Sequence, residues 1–271
     1  MGLDYVEDAI VDDSIPLLCP ISAERTQAGG YLVVDDAPLE RHPLRLQCRT
    51  LLLSAERDVI YDSKAQGVDD AYGCLTGGEQ FAILRRTRSA LCLLSRSGEL
   101  IRSIDLSLIS RHRPKILCWT PRDSFLVAFV AGPRNVDIVE LDCNGHVLWS
   151  CVESIATIGI PSSMQLLPDE SILVADEFHH VVWQLGRSGS STIRWGHWHS
   201  PSPAIENLHR PRGAQLLPDG TLLIADANNG RILVVDRAGH ATTLRVKNRA
   251  LFSPSSVKRL KDGDYLICDA G

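Results

Sequence analysis

The chain has few of the features that mark a protein for a known chemistry. It contains no P-loop, no GxGxxG and no GxSxG, so neither phosphate-cradling glycines nor a nucleophile elbow is present. No run of residues approaches the roughly 20 apolar positions that a membrane-spanning helix needs. The N-terminal MGLDYVEDAIVDD is acidic where a secretory signal would be basic and then apolar, and Val6 replaces the Ser or Thr that a myristoylation motif wants after Gly2. The expectation is a cytoplasmic protein. None of the eight cysteines falls in a CxxC pair, and Cys48, Cys92, Cys118 and Cys268 lie in apolar runs, which predicts reduced structural thiols. Excess positive charge is lacking too. A net charge of −5 gives no reason to expect a nucleic-acid or membrane partner. Arg85–Arg86–Thr87–Arg88 is a local exception, read as a solvated loop.

What is present is a repeat. PSSMQLLPDESILVADEFHHVVWQLGRSG, from Pro161, aligns without gaps with PRGAQLLPDGTLLIADANNGRILVVDRAG, from Pro211. A third copy, PSSVKRLKDGDYLICDAG, starts at Pro254 and runs to the last residue. The starts are 50 and 43 residues apart, room for four short strands and their turns. Pro-Asp-Gly at 218–220 and Lys-Asp-Gly at 261–263 are turn chemistry, and the apolar run that follows each reads as a strand covered on both faces. A second turn ends at Gly98, Gly145, Gly189 and Gly239, at intervals of 47, 44 and 50 residues. Extended backwards, the period predicts outer hairpins in 51–61 and near residue 12.

These units predict an all-β fold: a six-bladed β-propeller of four-stranded antiparallel blades, one domain over residues 1–271. N-terminal outer strands, from about residues 5–19, would join the C-terminal inner strands 254–269 to close the ring and remove exposed edges. A five-bladed ring with an irregular N-terminal extension is the alternative.

The segments at 166–189 and 216–239, with a partial match at 138–149, resemble the NHL-repeat propellers and the related gluconolactonase-like and arylsulfotransferase-like groups. The resemblance implies a six-bladed ring with its ligand site at the mouth of the central channel. It also implies that histidines there can be zinc ligands, as in some NHL-like lyases. A gluconolactonase-like site would add calcium and an early metal-binding glutamate, which is not placed in this chain. An arylsulfotransferase would be a longer, exported chain. These motifs specify architecture more than chemistry.

Propeller topology puts the loops between second and third strands on one face with the links between blades. That face would collect Arg134 and Asn135, then Glu177, His179 and His180, then Asn228 and Asn229. Links add Glu153 and the long segment 196–210, which carries His197, Trp198, His199 and His209. Three readings of the five histidines stand open. His197 and His199, two apart on an extended segment, could share a divalent ion, zinc or calcium, with His179 or His180. All five could serve acid–base or ligand-binding work, with Arg134 holding an anionic group. Or they could be solvated loop histidines, with Trp195 and Trp198 packing the loop down. Asp176, Asp226 and Asp269, at matching repeat positions, are read as structural caps of the following turns rather than a calcium ring.

The functional expectation is a small molecule or peptide bound at the channel mouth, by a small enzyme of hydrolase or lyase type, metal-assisted or not. The alternative is a non-catalytic module that binds a protein or peptide across the same face.

Overall fold

The computed structural model describes residues 17, 19–37, 47–68, 70–77, 80–151, 158–246 and 250–270. Strands β1 (Pro20–Arg25), β2 (Tyr31–Ala37), β3 (Gln47–Leu53) and β4 (Val59–Asp62) form the first four-stranded antiparallel blade. The second comprises β5 (Ala71–Leu75), β6 (Gln80–Arg85), β7 (Ala90–Ser95) and β8 (Leu100–Asp105), and the third β9 (Arg113–Trp119), β10 (Ser124–Gly132), β11 (Asn135–Asp142) and β12 (Val147–Cys151). The fourth holds β13 (Pro161–Leu166), β14 (Ile172–Asp176), β15 (Val181–Leu185) and β16 (Ser191–Trp195). The fifth holds β17 (Pro211–Leu216), β18 (Leu222–Asp226), β19 (Arg231–Val235) and β20 (Ala241–Thr243). Among the described residues, strands β21 (Pro254–Arg259) and β22 (Tyr265–Asp269) pair only with each other.

Among the described residues the architecture is a β-propeller with five four-stranded blades, so the six-blade expectation is corrected. The outer hairpin that was to complete a sixth blade with β21 and β22, residues 5–19, falls almost wholly outside the described residues. The chain divides into two compact units, Met1–Ile21 with Pro161–Gly271, and Ser22–Ile160. No helix among the described residues is long and apolar enough to cross a membrane.

The recurrent glycines have a local cause. Gly98, Gly145, Gly189 and Gly239 all take φ between +85° and +90°, where a side chain would be strained. Each donates its amide three residues back, as Gly98 does to Ser95 O at 2.9 Å. Arg57, at φ +75°, does the same to Ser54 O and closes the 51–61 hairpin without a glycine.

Blades four and five pack through repeat positions. Leu167, Leu173, Val182, Leu208, Leu222, Ile224, Leu233 and Val235 form one buried cluster between them. The Gln165 amide accepts from Leu216 N at 2.8 Å and donates to Leu216 O at 3.0 Å, and Gln215 accepts from Arg259 N at 2.8 Å in the next step. The repeated glutamine is therefore an inter-blade clamp. Ser162 Oγ bridges to Pro211 O at 2.9 Å, and Ser255 Oγ makes the matching contact to Pro20 O at 2.7 Å. Pro20 thus meets β21 as the first residue of a following blade does.

All eight cysteines are thiols, with Cys48 and Cys268 buried in strands. Burial pushes the Cys268 thiol up to about 11. The basic run at 85–88 is no freely solvated loop: Arg85 Nε donates to Asp70 at 2.8 Å, Arg86 is buried, and Thr87 N donates to the same carboxylate at 2.9 Å.

Candidate functional site

The site is built on the β14–β15 turn of blade four and the long link that follows β16. Asp176 ends β14 fully buried, and the chain turns at once, with His180 N donating to Asp176 O at 3.1 Å. The carboxylate accepts from Phe178 N at 3.1 Å and His179 N at 3.2 Å, which caps the turn. Its second oxygen lies 2.7 Å from His179 Nδ1 and 3.2 Å from Trp183 Nε1. A carboxylate can only accept, so Nδ1 carries the proton, and Nε2 of the neutral ring keeps a lone pair. That Nε2 is buried and makes no hydrogen bond with any described residue. An acceptor left this way costs about 1–3 kcal/mol.

Aromatic groups enclose the ring. Trp198 stacks on His179 with centroids 4.1 Å apart and planes 21° from parallel, and the rings of His199 and Phe178 meet it edge-on at 4.7 and 5.0 Å. His199 N donates to His179 O at 3.1 Å and seats the tip of the link. Gly196 enters that tip at φ +88°, and a Cβ there would stand 2.6 Å from His180 O.

His180 takes the left-handed conformation, φ +63°, and turns away from the dyad. Arg210 N donates to its Nδ1 at 3.1 Å, which leaves Nε2 as the protonated nitrogen of the neutral ring. Its ring meets that of His209 edge-on at 5.5 Å. Partial burial, then the neighbouring charge of His209, His199 and Arg210, lowers its pKa against the opposing pull of Asp176.

The structure gathers His179, His180, His199, His209 and Trp198 but sets His197 apart, exposed, with Nδ1 bonded to Asn207. The proposed metal triad of His179, His197 and His199 does not form, and no three His, Cys, Asp or Glu side chains among the described residues could hold an ion. Alternation of side chains requires an extended segment, but here Ser200 N donates to His197 O and His199 has φ +53°. The 196–210 link is no loose solvated loop either. Arg231 donates to Pro203 O at 2.6 Å, to Ala204 O and Asn207 O at 2.8 Å each, and to Asp226 Oδ2 at 2.8 Å.

The other candidates scatter. Asn229 is structural, its amide donating to Asp226 at 2.8 Å and to Ser202 O at 2.9 Å. Asn228 is exposed, 3.4 Å from His209 Nε2, and Glu177 lies 3.9 Å from Arg212. Arg134, in a turn at φ +65°, and Asn135, at the start of β11, are exposed in the other compact unit, and Glu153 lies outside the described residues. The repeat aspartates are structural, but two of the three accept from the backbone of the preceding link rather than from the backbone of the following turn. Asp226 accepts from His209 N at 2.7 Å, and Asp269 from Ser253 N at 2.7 Å. Burial raises the Asp226 pKa despite its donors.

Sequence reasoning missed Asp176 as the partner of His179, Arg231 as the clamp, and Arg210. The first had a visible signal: Asp176-x-x-His179 aligns with Asp226-x-x-Asn229, and both third-residue side chains bond their aspartate.

No family model and no curated protein matches this chain. Solved structures do. A virginiamycin B lyase from Staphylococcus aureus is 12% identical, with TM-score 0.60 over 93% of this chain and 78% of its own. A putative gluconolactonase is 11% identical, with TM-score 0.64 over 96% and 88%. The WD40 β-propeller domain of Doa1 is 14% identical, with TM-score 0.51 over 75% and 60%. The shared feature is the β-propeller fold. At these identities the likeness extends to the fold and no further.

Proposed function

We propose that the protein is a propeller enzyme of hydrolase or lyase type that acts on a small molecule at the blade-four face, with His179 as general base. The observation that carries this reading is the buried Nε2 of His179, which has no hydrogen-bond partner among the described residues while Asp176 fixes the opposite nitrogen. An aspartate-oriented imidazole is the arrangement that takes a proton from a substrate or a water and stabilises the resulting imidazolium. No serine or cysteine nucleophile is needed for either reaction. Access requires the 197–200 tip, seated on His179 O by one backbone bond, to lift Trp198 from the imidazole. A lyase and a putative gluconolactonase share the fold, and a virginiamycin B lyase with one histidine changed to alanine is catalytically inactive.

A small-molecule library screened for thermal stabilisation tests the reading. Some ligands should stabilise the native chain and be consumed by it, and H179N, folded by circular dichroism, should lose their turnover by at least 100-fold. Turnover unchanged in H179N would remove His179 from the chemistry.

A second reading has its own observation. The outer strands expose apolar residues in pairs, Val59 with Ile60, Leu100 with Ile101 and Val147 with Leu148, which suits a protein-binding surface. A cleft of about 580 Å³ lined by Ile60, Gln80, Ser95, Arg96, Ser97 and Ile101 lies among them. It contains no acid–base pair, so the histidine face is preferred for chemistry.

A further inference from the structure

We infer that the exposed rim beside the His179 dyad is an oxyanion-binding site, formed by His180, His209 and Arg210, that holds a carboxylate or phosphate group of the substrate. The inference deepens the functional reading above and rests on it for the word substrate, though the binding site stands on its own geometry.

The rings of His180 and His209 meet there, and Arg210, next in the chain, lies near enough for its charge to lower the His180 pKa. The Arg210 amide fixes His180 so that its Nε2–H is the outward donor. His209 is fixed at both ends of its backbone, its amide on Asp226 at 2.7 Å and its carbonyl on Asn228 N at 3.0 Å, and its ring stands 5.5 Å from that of His180. Arg210 is exposed, and its guanidinium makes neither a hydrogen bond nor an ion pair with any described residue. An exposed guanidinium offers five donors in a fork that matches carboxylate and phosphate.

Nearby carboxylates do not neutralise this rim. Asp176 is buried and accepts from Phe178 N, His179 N, His179 Nδ1 and Trp183 Nε1. Asp226 is buried and accepts from His209 N, Asn229 and Arg231. Glu177 faces Arg212 at 3.9 Å. The groups facing His180 from outside its own turn are His199, His209 and Arg210, and each lowers its pKa. An anion at the rim would reverse that repulsion, and the Arg210 charge there has no internal counter-ion among the described residues.

The test uses the full chain labelled with ¹⁵N and follows the imidazole signals of His180 and His209 during titration with inorganic phosphate, acetate and, at matched ionic strength, chloride. Saturable shifts with phosphate or acetate but not chloride are expected, and the anion that saturates first gives the class of group recognised. R210A should weaken half-saturation at least fivefold, with R210K in between; H180N, whose asparagine tolerates positive φ, should weaken it as well. Equal responses to all three salts, or binding unchanged in R210A, would overturn the site. H179N separates the two readings: binding retained there with turnover lost supports both. Phosphate or acetate binding in the native chain, with no turnover that depends on His179, leaves the oxyanion site and removes the base.

Discussion

His179 and His180 are adjacent in the chain and are put to opposite uses by a single turn. His179 points in to Asp176 and completes the buried dyad; His180, forced to positive φ, points out to the rim. In blade five the same positions are Asn229, which also bonds its aspartate, and Gly230, at φ +59°. The turn geometry thus belongs to the repeat, and the imidazoles are what blade four adds. A pH effect follows from His180. Its folded pKa lies below the ordinary 6.5, so as pH falls through that value the unfolded chain binds the proton first. The contribution of His180 to stability is complete above pH 6.5 and is lost as pH falls towards the folded pKa. Melting temperature against pH should decline more steeply across pH 7 to 5 for the native chain than for H180N; parallel curves would discount His180.

At the scale of the element, the 196–210 link shows how a long loop is held. Trp195 Nε1 donates to Ile205 O at 3.3 Å, Leu208 enters the core between blades four and five, and Arg231 grips three carbonyls from below. Only the 197–200 tip lies outside those anchors. R231M should destabilise the protein by about 3–5 kcal/mol, because it strands the buried Asp226 charge as well as releasing the loop. Urea unfolding measures the loss, and limited proteolysis should cut within 196–210 in the variant first. R231K, which keeps the charge without the fork, should recover only part of both. A stable, protease-resistant R231M would refute the clamp.

For the whole molecule, the decisive contacts are those that carry one blade to the next. Ser162 and Ser255 occupy the same repeat position, and each hydroxyl donates to the first carbonyl of a neighbouring strand, Pro211 O and Pro20 O. If Ser255 holds Pro20 as Ser162 holds Pro211, S255A and S162A should each cost about 1 kcal/mol in chemical denaturation. A neutral S255A beside a costly S162A would show that the N-terminal contact carries no stability. The C-terminal sheet also covers its neighbour: Val257 joins Leu217, Leu223, Ala225, Ile232 and Leu244 in one buried cluster.

Much of this organisation was legible in the sequence because turns and strand periods are local properties. The glycines at 98, 145, 189 and 239 announce positive φ, and the paired copies from Pro161 and Pro211 give the four-strand unit without reference to anything distant. Topology led to the expectation of five histidines on one face; the structure shows His179 beside His199 and His180 beside His209, with His197 bonded elsewhere. What the sequence could not decide was direction and company. Whether His197 shares a ligand with His199 depends on a turn at 197–200, and whether the link is mobile depends on Arg231, which lies beyond it in the chain. Blade number rested on strands at the two chain ends, where periodicity has no second copy to confirm it. The sequence by itself determined the repeat and its turns. Only the tertiary structure decided that His179 is a buried, aspartate-bound imidazole with a nitrogen to spare, because that state is set by long-range packing of Trp198 and His199 over it.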